Sequence, residues 1–337
     1  MRVLHIFIMF LIVMSGGCNQ QQASTSQLGE KDDIKQPDSV PLDSIVLPVA
    51  ELSEMAGKGA LLLTRVESFE ALKKIIRIEY LNSPTEANPN PTGKPGVRLT
   101  HSSDGREITS LLTTGVSEGD FLAAQDSGIF ARVQLVLRSP YSVWHRKDLR
   151  RAFALSRKRG AIFGVGDPAF YDLAETMSIH ITDYDKAKMT PKDLGEKGYI
   201  NTFNHFIAQS MVTSIFSERL ADLIADAHER YNMPELILGE FTTEQLADLE
   251  TGPTDNYLDI INNEWGQEFG KVLREKYNIT RKTYWTTELL ENYLNDIQVY
   301  FSCAFQIAFE PFRATDELVI RFSNKINTVM DDVPIVR

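Results

Sequence analysis

Apolar and polar positions follow two different patterns along this chain, and the change falls near residue 185. From Lys186 onward, apolar residues recur at helical spacing. GYINTFNHFIAQSMVTSIF, SERLADLIADAHERY, DNYLDIINNEWGQEFG and DELVIRFSNKINTVM each carry one apolar face. The stretch from Thr287 to about Phe309 is apolar over a wider arc: Leu290, Leu294, Ile297, Phe301, Ala304, Phe305 and Ala308 suit a bundle centre, with Pro311 as its stop. Before Lys186 the pattern is mixed. GALLLTRV reads as a strand, and Ser68 caps a helix FEALKKIIRIEYL. NSPTEANPNPTGKPG is a loop, and VRLTHSS, ITSLLTTGV and ARVQLVLR read as strands. HRKDLRRAFALSRK and PAFYDLAETM read as helices. The expected fold class is α+β, with a mixed region over 45–185 and a mainly helical bundle domain over 186–337.

The segment Asn201–Tyr231 poses a geometric question. As one straight helix it would hold His205 and His228 ~35 Å apart. Ser214 and Ser217 are N-cap types, and Glu218 follows Ser217 in a first turn. A reversal near Phe216 is therefore expected. It would set the Asn201–His205 turn opposite the His228–Glu229 turn. Further on, Asp259, Asn263, Gly266 and Gly270 fall at i, i+4, i+7 and i+11, within roughly a 60° stripe of one helix. The carboxylate and amide occupy the first turns of that stripe, and the glycines admit a neighbouring backbone. Polar residues set into apolar helix faces cost stability unless they find partners, so this segment holds a polar cluster, a site or both.

The N-terminus has a different design. MRVLHIFIMFLIVMSGGC has a basic start at Arg2, an apolar run from Val3 to Met14, small residues, then Cys18. The run is shorter than the ~20 residues a membrane-spanning helix needs, and it has the layout of a signal peptide over 1–17. The small residues before Cys18 resemble the bacterial lipoprotein box, which implies a lipidated Cys18 as the mature N-terminus. An ordinary cleaved signal or an uncleaved anchor are the alternatives, and all three place the protein outside the cytosol. Residues 18–44 then form a tether rich in Gln, Ser, Asp, Lys and Pro, too polar to bury a core. Asn19 after the cysteine, in place of Asp, points to an outer membrane.

Charge excludes one class of function. A net charge of −11 argues against general nucleic-acid binding. One basic island breaks the acidic background, with Arg146, Arg150, Arg151 and Arg157 among its members. It is expected either to touch anionic lipid or envelope polymer, or to be a solvated face pairing with acidic residues. With Cys18 lipidated, Cys303 is an unpaired thiol in apolar surroundings.

The motifs Asn201-x-x-Asn204-His205, Ala227-His228-Glu229 and Asp259-x-x-Asn262-Asn263-x-x-Gly266 resemble, in order and spacing, an uncharacterised family of bacterial helical domains found in secreted, surface and toxin-like proteins. The resemblance covers about Tyr199 to Gly270. The chain departs from it at two positions: Asn204 stands where the family has Arg, and Ala208 where it has Trp. The family carries no established chemistry, so the residues must be read for themselves. His205, His228, Glu229 and Asp259 are ligand types for zinc or another divalent ion, with His205, His228 and Asp259 as the core set and bound water as nucleophile. A metal-free site would use one histidine as general base, oriented by Asp259 or Glu229, with Asn263 alongside. Two further readings are a polar network that fixes helix register and a surface for a ligand or partner. The sequence thus supports a lipid-anchored envelope or interaction protein, with a hydrolase of an envelope component as the alternative.

Overall fold

The computed structural model describes residues 59–331, apart from 64, 83–92 and 127–128. The signal-like segment, Cys18 and the expected tether lie outside the described residues. In chain order, α1 (Phe69–Leu72) leads into β1 (Ile76–Leu81), β2 (Gly96–Ser103) and β3 (Arg106–Thr113). Helices α2 (Glu118–Asp126), α3 (Ile129–Arg138), α4 (Pro140–Trp144), α5 (Arg146–Ser156), α6 (Gly160–Phe163), α7 (Phe170–His180) and α8 (Asp183–Lys186) follow. A distorted turn over Glu196–Ile200 opens α9 (Asn201–Ile215). Then come α10 (Glu218–Asn232), a tight turn over Pro234–Ile237, α11 (Thr243–Ala247), α12 (Pro253–Lys276), α13 (Thr287–Phe305) and α14 (Glu317–Met330). The class is α+β and mainly helical.

The single sheet among the described residues is antiparallel, in the order β1-β2-β3, with Ile78 opposite Leu99 and Leu99 opposite Ser110. Asp104 and Gly105 join β2 to β3 with φ of 52° and 79°, the positive values that a tight hairpin turn requires. The sheet is tied to α12 by Trp265, whose Nε1–H donates to His101 Nδ1 of β2 at 3.0 Å.

Four expected elements differ. GALLLTRV forms no strand: Leu62 gives its backbone N–H and C=O to the Asn262 side chain instead of to a ladder. The helix expected over FEALKKIIRIEYL stops at Leu72, and Ile76–Leu81 becomes β1. Its isoleucines fit both periods, and pairing with β2 decides for the strand. ARVQLVLR is helical, lying within α3, in keeping with its Ala, Arg, Gln and Leu content. Helix α13 ends at Phe305, not near Phe309, because Gln306 adopts φ 55° as a left-handed cap.

The centre of the body is aromatic. Phe203 of α9 stacks on Phe301 of α13 with centroids 4.1 Å apart, and Phe206 on Tyr300 at 4.8 Å. One cluster of buried side chains runs from Ala60 to Val329, so the boundary expected near residue 185 passes through a shared core.

Candidate functional site

The expected reversal is present. Helix α9 ends at Ile215, and Ser217 caps α10 by accepting from the Leu220 N–H at 3.2 Å. Helix α12 packs against α9 along the glycine stripe. A Cβ on Gly266 would stand 2.8 Å from the Phe206 carbonyl oxygen, and one on Gly270 would stand 2.6 Å from that of Ser210. The hydroxyls of Ser210 and Ser214 in turn donate to the Gly266 and Gly270 carbonyls at 2.9 and 2.7 Å. This backbone-to-backbone approach brings the polar residues of the two helices within hydrogen-bond distance.

His205 lies between Asn263 and Asp259. Its Nδ1 is 3.0 Å from Asn263 Oδ1, and its Nε2 is 3.3 Å from Asp259 Oδ2. Asn201 Nδ2 donates to the other Asp259 oxygen at 3.1 Å. Because Asn263 offers a carbonyl oxygen, Nδ1 carries the ring proton. Burial pushes His205 down to about 4 and Asp259 up to about 7. Between about pH 4 and 7 the pair is therefore neutral, with the Asp259 carboxyl O–H donating to Nε2. One turn earlier on α12, Asp255 is pushed up to about 7 by burial and by Asp259, and Lys197 donates to it at 3.0 Å. Glu229 is also buried, and burial, reinforced by Asp259 and Asp255, holds it well above the usual carboxylate range. Glu229 Oε2 and Asp255 Oδ1 find no hydrogen-bond partner among the described residues.

His228 belongs to a second pair. Its Nδ1 is 3.1 Å from Glu118 Oε2, and Asn232 Nδ2 sits 2.9 Å from its Nε2. Asn232 donates and Glu118 accepts, so the ring proton is on Nδ1. Glu118 is buried while Asn232 is exposed.

Both histidines face one cavity of about 460 Å³. Leu149, Phe153, Phe170, Val212 and Ile224 are among its apolar walls. Glu118, Asn204, His205, Gln209, His228 and Asn263 are among its polar groups, with Glu196, and Arg157 and Lys158 also line it. Asn204 and Ala208 both face this space.

The residues expected to act as one set are thus divided. His205, Asp259 and Asn263 meet, His228 shares the cavity with them, and Glu229 is buried near Asp255 and Asp259. Among the described residues no group of three or more His, Cys, Asp or Glu side chains is placed to hold a metal ion. Of the expected ligand set His205, His228 and Asp259, His205 pairs with Asp259, whereas His228 pairs with Glu118. Of the basic island, Arg146 is exposed, while Arg150, Arg151 and Arg157 are half-buried. Arg151 donates to Asp148 and to the Met330 carbonyl, and Arg157 lies over the Phe153 ring.

Three participants were missed in the sequence. Asp255 stands four residues before Asp259 on the same helix face, so extending the stripe by one turn would have found it. Lys197 precedes α9 and pairs across to Asp255. Glu118 sits 110 residues before His228, in a segment with no periodic signal of its own. No family model, curated protein or solved structure matches the chain.

Proposed function

We propose that this chain is an extracytoplasmic, lipid-anchored bacterial envelope protein whose helical body binds an amphiphilic small molecule in the cavity beside His205 and His228. The observation that carries the binding role is the cavity itself. Apolar walls and a few convergent polar groups, with perturbed histidine and carboxylate acidities alongside, are the usual make-up of a small-molecule site. The apolar part of the ligand lies along Leu149, Phe153, Phe170, Val212 and Ile224. Its polar part meets the amides and histidines. The His205–Asp259–Asn201 chain, with both ring nitrogens already bonded, acts as the rigid floor that fixes α9 against α12. The anchor rests on the sequence before Cys18 alone.

The test uses a fluorescent fatty acid as probe. Saturable binding at one probe per chain, abolished by Ala208→Trp with little loss of stability, supports the reading. Absence of saturable binding, or equal binding by Ala208→Trp, sinks it.

One observation favours hydrolysis as a second reading. Glu118 holds the Nδ1–H of His228, and the side chain of exposed Asn232 donates to the opposite ring nitrogen. A substrate that displaces Asn232 meets an oriented base that can take a proton from water. Ester hydrolysis reduced roughly 10²–10⁴-fold by His228→Ala would establish it. A rate unchanged by that substitution would remove it.

A further inference from the structure

We infer that the outward face of α3, with Trp144 and the cations beside it, docks onto an anionic lipid bilayer. Helix α3 is amphipathic in the opposite sense from a helix that only packs on its own core. At ~100° per residue, Ile129, Phe130, Val133, Val136 and Leu137 share roughly a 120° arc. All five are exposed, Phe130 at 86% and Leu137 at 77%. Leu135, on the other side, is the one buried residue of the helix. Trp144, at the end of α4, is 86% exposed, whereas Trp265 and Trp285 are buried. Single exposed apolar side chains are ordinary, but five on one helix face mark a surface that something covers.

Charge identifies what covers it. The chain as a whole carries −11, yet 129–147 contains no Asp or Glu and holds Arg132, Arg146 and Lys147, with Arg138 paired to Asp120 of α2. Arg146 and Lys147 directly follow His145 and Trp144 and are exposed. An apolar helix face with a tryptophan and flanking Lys and Arg suits the headgroup boundary of an anionic leaflet. A second copy meeting this patch by two-fold symmetry would bring like charges together. Helix α3 spans ten residues, so it lies in the interface and does not cross it. Helix α5, which starts at Arg146, also contributes Leu149, Ala152 and Phe153 to the cavity. The docking surface and the cavity therefore share an element, although the docking inference stands without the ligand reading.

Trp144 reports directly on this surface. The full chain is reconstituted in phosphatidylcholine vesicles, with and without phosphatidylglycerol, that contain a phospholipid brominated in its acyl chains. Emission that disappears in Trp144→Phe is assigned to Trp144. The expected result is bromine quenching of that emission, stronger with phosphatidylglycerol, and mostly lost in the double variant Phe130→Asp, Leu137→Asp. Both positions are solvent-exposed, so an unchanged urea midpoint verifies that the variant is folded. Unquenched Trp144 emission in both kinds of vesicle overturns the inference. Blue-shifted Trp144 emission before vesicles are added does so too, because the face is then covered by protein, whether a second copy or the chain's own N-terminal segment. Quenching that ignores phosphatidylglycerol removes the anionic partner.

Discussion

His205 and Asp259 face each other across the α9–α12 interface, Nε2 to Oδ2 at 3.3 Å, and both are buried. Asn263 and Asn201 hold the outer ends of the pair. The arrangement resembles a catalytic dyad in composition. In connectivity it is closed, because each ring nitrogen of His205 already has a protein partner.

This pair makes stability depend on pH with a definite sign. Asp259 is held up to about 7 against 3.8 for a free carboxyl, so its contribution is complete below 3.8 and is lost as pH rises through 7. Asp255 behaves in the same way. His205, lowered from 6.5 to about 4, contributes fully above 6.5 and loses that contribution as pH falls through 4. Two carboxyls outweigh one histidine, so unfolding free energy should decline from about pH 4 to 7. Asp259→Asn should remove on the order of 3 kcal/mol of that decline. Urea titrations across this range check it, and an unaltered slope in the variant would show that the Asp259 carboxyl is ionised throughout.

Gly266→Ala and Gly270→Ala should each destabilise the fold by about 1–3 kcal/mol, since the new methyl meets a backbone oxygen of α9 and the helices must part. Gly160→Ala is the control, because a Cβ there has nothing within 4 Å. Chemical denaturation of the three variants decides the matter. Equal midpoints would mean that α9 and α12 pack less closely than described.

Asn262→Ala should cost about 1–3 kcal/mol by leaving the half-buried Leu62 N–H without its Asn262 partner. The Leu62 carbonyl keeps the Thr202 hydroxyl at 3.1 Å, so the loss falls on the donor. Hydrogen exchange at the Leu62 amide should accelerate strongly in the variant. Unchanged protection there would deny Asn262 its clamping role.

Cys18→Ser should abolish incorporation of labelled palmitate and release the chain from membrane pellets, if the proposed anchor is correct. Persistence of the label in this variant would place the lipid elsewhere or remove the lipoprotein reading.

Much of the helical part could be read in the sequence because its constraints are local. Ser217 announces a helix start, and the reversal before it follows. The Asp259–Asn263–Gly266–Gly270 stripe lies on one face whatever its neighbour, and α9 is where it packs. The rest depends on partners distant in the chain. Leu72, Ile75 and Ile76 suit a helix face while Ile76 and Ile78 suit a strand, and only β2 resolves them. ARVQLVLR reads as a strand in the sequence, whereas the folded chain makes it part of helix α3 with its apolar arc exposed. Glu118 reaches His228 through tertiary packing, with no spacing rule to reveal it.

The clamp on Leu62 has a mechanical side. Gly59 donates to Ala304 of α13, and Leu62 is held by Asn262 of α12 and Thr202 of α9. Tension on the chain ahead of Gly59 is thus shared among three central helices at the first few described residues. Of the two Asn262 bonds, one donates and the other accepts, so the segment must break them together before it can peel away. A pull that reaches this point loads the middle of the bundle, including α9 and α12, which also line the cavity.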